Sequence, residues 1–182
     1  MDTQPKIAID SNLITYLLEA MSPGYDPLSD QLSNERRAMI RIALYIHYKI
    51  YVLPTVKAEY NRIPDRMKRL EHEGQTILNT RQWKFDDQRV EERKKDFLLY
   101  HKNKEADCRI LAEAEYVKMN ILLSYDKKFI EKLNLKANGL EIIRPTEYWD
   151  RMDVSPMAQP KRRPVPSTPL WQLRWWWRID GL

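Results

Sequence analysis

Four carboxylates recur in one local setting. Asp10 ends the apolar run Ile7-Ala8-Ile9, and Glu59 lies in the helix that follows Tyr51-Val52-Leu53. Asp107 opens a helical segment, and Asp126 follows Ile121-Leu122-Leu123-Ser124. If these runs are parallel strands, all four acids face one end of a sheet, where open α/β folds bind ligands. Two like charges ~4 Å apart repel by about 4 kcal/mol at an effective dielectric of about 20. Gathered acids therefore raise one another's pKa values or hold a cation. Oxygen donors without a nearby His or Cys suit hard ions such as Mg²⁺ or Mn²⁺. Such ions support in-line cleavage of phosphodiesters.

Each acid also has a simpler use. Asp10 and Asp126 can cap helices, and Asp107 suits a helix N-terminus whatever its chemistry. Glu59 by itself is an ordinary helical acid. Glu105 could stand in for Asp107 or extend the site. His47, His72 and His101 show no ligand spacing and are read as surface or helix-face residues without a role. Cys108 reads as a small apolar residue of its helix.

The elements that must position these acids follow from periodicity. Leu13, Ile14, Leu17, Leu18 and Met21 share a helical face after Asp10. A second helix is expected over 35–48, capped by Asn34, and a third starting at Thr55. A charged helix is expected from Asp86 to Tyr100. Another, capped by Asn103, carries Asp107, Ile110, Leu111, Ala114 and Val117 on one face. Short strands are expected at 51–53, 121–124 and 141–143, with short helices after the last two. Over 65–84 the pattern suggests only two helical pieces around Gly74. The β/α alternation predicts a parallel sheet covered by helices on both faces.

Four segments carry a family resemblance. Ile9-Asp10-Ser11-Asn12, Thr55-Val56-Lys57-Ala58-Glu59, Ala106-Asp107-Cys108-Arg109-Ile110-Leu111-Ala112-Glu113-Ala114 and Leu122-Leu123-Ser124-Tyr125-Asp126-Lys127-Lys128-Phe129 resemble, in order, the four motifs of PIN-domain nucleases. In size and pattern the chain looks most like the VapC-type toxin ribonucleases. The resemblance spans about residues 6–150. It implies a three-layer α/β/α sandwich with a central, mainly parallel sheet, a Mg²⁺ or Mn²⁺ cofactor, and endonucleolytic cleavage of RNA. Carried over by position, Asp10, Glu59, Asp107 and Asp126 are the catalytic acids. Asp10, Asp107 and Asp126 are the metal ligands, and Asn12 and Ser124 are their supports. A small antitoxin partner and a homodimer are also implied. The alternatives are a PIN-like RNA- or protein-binding module without catalysis, and an RNA-processing nuclease of this class without an antitoxin. The basic run Arg62, Arg66, Lys68, Arg69 is either a solvated face or a line of phosphate contacts.

Two stretches fall outside the family pattern. Residues 61–100 are long and highly charged for their place. The chain also divides into a nuclease-like domain, 1–150, and an extension, 151–182. That extension holds four of the six Trp residues and a run of prolines, and is expected to be poorly ordered. It carries six basic residues against two acids, which is most of the net charge of +5. The pI therefore does not mark the folded domain as a nucleic-acid binder. One Cys excludes an internal disulfide and suits a reducing cytoplasm. Neither an export leader nor a membrane span is expected, and a cytoplasmic location is.

Overall fold

The computed structural model describes residues 4–21, 30–46, 49–67, 70, 78–79, 82–163 and 171. Its sheet has five parallel strands: β1 (Ile7–Ile9), β2 (Ile50–Val52), β3 (Leu78–Asn79), β4 (Ile121–Leu123) and β5 (Glu141–Ile143), in the order β3-β2-β1-β4-β5. Among the described residues there are seven α-helices: α1 (Ser11–Met21), α2 (Gln31–Tyr45), α3 (Pro54–Asn61), α4 (Asp87–Leu98), α5 (Glu105–Tyr116), α6 (Lys127–Leu133) and α7 (Pro145–Arg151). The result is an α/β fold with helices layered on a parallel sheet, as the alternation of apolar runs and helical faces predicts. Every residue of β1 and β4 is buried, which is what helices on both faces require of central strands. No helix among the described residues is long and apolar enough to cross a membrane.

Two features of this sheet position everything that follows. The first is register: Ile9 is level with Val52 and Leu123, and Leu123 with Ile143. The next residues, Asp10, Leu53, Ser124 and Arg144, therefore form one row just past the strand ends. Backbone bonds continue into that row, from the Asp10 N–H to the Leu123 carbonyl (3.1 Å) and from the Ser124 N–H to the Ile143 carbonyl (3.1 Å). The second is the switch point. Strand order runs outward from β1 on one side and from β4 on the other, so the crevice of this fold lies between β1 and β4.

Several helix starts differ from the expected ones, each for a capping reason. Helix α2 begins at Gln31, because the Asp30 side chain accepts from the Ser33 N–H at 2.8 Å; Asn34 lies inside the helix. Helix α5 is entered through Lys104, while Asn103 takes a left-handed turn (φ 62°) instead of capping. In α3 the N-cap is Leu53, which has no capping side chain, and Thr55 lies inside the first turn. Of the region 65–84, most of the proposed helical pieces fall outside the described residues, while β3 adds an edge strand that the sequence pattern did not announce.

The lead-in to the C-terminal extension lies on the domain. Met152, Val154 and Ala158 pack against the core, and the Arg162 N–H donates to the Leu44 carbonyl at the end of α2 (2.9 Å). Of the Trp/Arg segment only Trp171 is among the described residues.

Candidate active site

Asp10 and Asp126 flank the switch point. Asp10 follows β1 and is 6% exposed. Its Oδ1 accepts from the Leu13 N–H at 3.0 Å, so it caps α1, and its Oδ2 accepts from the Ser124 hydroxyl. Ser124, fully buried, in turn accepts from the Asp126 N–H at 3.1 Å. One hydroxyl thus ties the acid after β1 to the backbone of the acid after β4. Asp126 caps α6, its Oδ1 accepting from the Lys128 (2.8 Å) and Phe129 (3.1 Å) N–H groups. Each cap uses one oxygen of its carboxylate; the second oxygen of Asp10 accepts from Ser124, and each carboxylate oxygen keeps a further lone pair.

Asp107 joins from the other layer. Helix α5 precedes the parallel strand β4, so its first turn stands at the same rim, and Asp107 lies in that turn. Its Oδ2 is buried and has no hydrogen-bond partner among the described residues. Its nearest side-chain nitrogens are His101 Nε2 at 3.5 Å and Lys104 Nζ at 3.9 Å. Burial raises the Asp107 pKa, Lys104 and His101 pull it down, and Asp126 pushes it up again. Burial likewise lifts the Asp10 carboxyl to about 6; the bonds from Ser124 and Leu13 oppose this, and Asp107 and Asp126 add to it. The three aspartates thus feel one another's charge.

Glu59 is half-buried on α3, one and a half turns below the rim, with Oε2 buried and unpartnered among the described residues. Asn12 is exposed in the first turn of α1, and among the described residues no hydrogen bond links its side chain to Asp10. Arg62 and Arg66 are exposed; Arg62 closes the end of α3 away from the rim, roughly 12 Å along the helix from its start. Arg69 lies outside the described residues.

The donor set suits a hard divalent cation. It consists of the carboxylates of Asp10, Asp107 and Asp126 near the switch point, with Glu59 deeper on α3; Asp107 Oδ2 and Glu59 Oε2 lack hydrogen-bond partners among the described residues, and Asp10 carries a raised pKa that a cation would reverse. No three His, Cys, Asp or Glu side chains among the described residues are gathered closely enough to hold an ion. Beside Asp126 a cleft of about 330 Å³ continues the rim, lined by Gln31, Lys127, Ile130, Glu131, Arg144 and Glu147.

The sequence reading missed three groups. His101 is buried against Asp107 rather than on the surface. Glu113 of α5, 2% exposed, accepts from the Thr55 N–H (3.0 Å) and hydroxyl (2.6 Å) and so caps α3 from another helix. Glu35 of α2, 1% exposed, does the same for α7 through the Thr146 N–H (3.0 Å) and hydroxyl (2.9 Å). A shared signal was present: Leu53-Pro54-Thr55 and Arg144-Pro145-Thr146 both follow a strand and both lack a capping side chain of their own.

Replacing Ser124 by Ala tests the tie across the switch point. It removes a donor to the charged Asp10 and an acceptor for Asp126, so the metal-free protein loses about 1–2 kcal/mol at pH 7.5. A urea midpoint measures this, and carboxyl NMR should show the Asp10 pKa moving further up.

Neither a comparison with protein-family models nor a search of curated proteins returns a match to this chain.

Proposed function

We propose that the protein is a Mg²⁺- or Mn²⁺-dependent endoribonuclease of the PIN class, acting as the toxin of a toxin–antitoxin pair. The observation that supports the reading is that Asp10 and Asp126 follow adjacent strands and are tied through Ser124, with Asp107 near enough for its charge to help raise the Asp10 pKa. In this reading those three aspartates hold the cation, and Glu59 orients the attacking water and takes its proton. When bound, the cation supplies positive charge to the reacting phosphate and acidifies water. The chain's own groups do the rest. Ser124 keeps Asp10 facing the crevice, and the caps that Asp10 and Asp126 place on α1 and α6 hold both carboxylates at fixed points. Lys104, Lys127 and Lys128 stand at the rim beside Asp107 and Asp126, better placed than Arg62 to meet flanking phosphates. Water attacks phosphorus in line as Glu59 takes its proton, the bond to the 3′ oxygen breaks, and that oxygen takes a proton from solvent, so the products end in 5′-phosphate and 3′-hydroxyl.

A second reading, a PIN-like module that binds RNA or protein without cleaving, draws on the absence of a ready-made ligand cluster among the described residues. One experiment separates the two. On the first reading millimolar Mn²⁺ raises the melting temperature by several degrees, and single-stranded RNA is cut to 5′-phosphate ends that EDTA abolishes. An unchanged melting temperature, with RNA still bound in EDTA, selects the binding module.

A further inference from the structure

His101 is the buried group that neither the core nor the proposed chemistry has yet used. It lies between α4 and α5 and is 3% exposed. Its backbone is held on both sides: its N–H donates to the Phe97 carbonyl (3.0 Å), and its carbonyl accepts from Cys108 Sγ (3.8 Å). The ring stacks on Phe129 of α6, with centroids 6.1 Å apart and planes 28° apart. Neither ring nitrogen has a hydrogen-bond partner among the described residues, and Nε2 stands 3.5 Å from Asp107 Oδ2.

Such an arrangement is costly if it is only packing. A buried polar atom without a partner is unfavourable, and a Leu or Phe would fill the space without that loss. The imidazole is also fixed by two site elements at once. Phe129 lies in the first turn of α6, and its N–H is one of the two that Asp126 accepts. Asp107 is on α5. His101 therefore touches the supports of two of the three aspartates. It meets Asp107 on the buried oxygen, while that side chain as a whole is 30% exposed, so the accessible part of the carboxylate is left to the crevice.

We propose that His101 is a positioning residue for the cation site: its Nε2–H turns toward Asp107 Oδ2 and holds that carboxylate in the rotamer that presents Oδ1 to the ion. This rests on the cation-site reading above. Outer partners of ligating groups commonly govern metal affinity by 10- to 100-fold. Lys104, at 3.9 Å, is exposed and long, and supplies charge without fixing orientation.

The test is Mn²⁺ affinity of the full chain without RNA, by calorimetry and by the electron paramagnetic resonance of free Mn²⁺. His101→Gln places an amide N–H near the position of Nε2 and should bind within about threefold of the parent. His101→Phe keeps the stack on Phe129 but has no donor, and should bind about 10- to 100-fold more weakly. His101→Asn keeps a polar amide too short to reach Asp107, should weaken binding like Phe, and carries the comparison if the Phe variant does not fold. Parental affinity in the Asn variant, or in a folded Phe variant, overturns the proposal and leaves the cation site standing. So does an affinity in the Gln variant as weak as in the other two. Absence of Mn²⁺ binding by the parent chain overturns the cation site itself and His101's role with it.

Discussion

Asp10→Asn should abolish RNA cleavage, by at least about 10³-fold, while making the metal-free protein more stable at neutral pH. The two effects have one cause. Asp10 is buried, and burial together with Asp107 and Asp126 raises its pKa to about 6. The folded state thus binds this proton more tightly than the unfolded chain, where a carboxyl keeps its ordinary value near 3.8. The stability this contributes is fully present below about pH 4 and is lost as pH rises through 6. That loss is on the order of 3 kcal/mol for a shift of about two units. Asp107 and Glu35, also raised by burial, act in the same direction. Asn removes the charge and keeps the geometry. Its Oδ1 still accepts from Leu13, and its amide can donate to Ser124, whose hydroxyl has a second lone pair for it. Urea midpoints between pH 4 and 7.5 in EDTA should fall for the parent and stay flatter for the variant. Added Mn²⁺ should stabilise the parent and do little for the variant. A variant that cuts RNA at the parental rate would remove Asp10 from the site.

Glu113→Ala, at a buried carboxylate, should lower stability by about 2–3 kcal/mol. The carboxylate is the only described cap of α3, whose own N-cap is Leu53. Removing it leaves the Thr55 N–H and hydroxyl without their acceptor and takes one of three carboxylate partners from Arg109, which also meets Asp87 and Glu91. Glu59→Gln, one helix away, should do the opposite. Its buried Oε2 has no described partner, so stability is unchanged or slightly raised while RNA cleavage falls. The contrast between these two glutamates, read from denaturation and cleavage of the same variants, separates a structural carboxylate from a site carboxylate. Equal stability losses in both would show that Glu59 is also structural.

Much of this molecule is written locally. The apolar triplets Ile7–Ile9 and Ile121–Leu123, the helical spacing after Asp10, and the prolines at 54 and 145 each mark an element within a few residues. Because Asp10 and Asp126 follow strands and Asp107 opens a helix, their places at the rim could be read from the order of elements alone, whereas Glu59 lies deeper on α3. The caps show the limit of such reading. Asp30 lies ahead of the helix expected over 35–48, and Leu53 and Arg144 enter their helices with no capping side chain. Local pattern can reveal a missing cap but cannot name the residue that fills it from another helix.

What the tertiary structure alone decided lies between residues far apart in the chain. Ser124 meets Asp10 across 114 residues, Glu35 meets Thr146 across 111, and Glu113 meets Thr55 across 58. Periodicity records which face of an element is apolar and says nothing of the neighbour that covers it. The order β3-β2-β1-β4-β5 brings β4 beside β1, and the level register of Ile9 and Leu123 then sets Asp10 opposite Ser124. His101 makes the same point from the other direction. It has no ligand spacing in the chain, yet the packing of α4, α5 and α6 buries its ring against Phe129 with Nε2 3.5 Å from Asp107. The sequence by itself determined which acids stand at strand ends; neighbour and register, which depend on the whole sheet closing, decided which of them share a crevice.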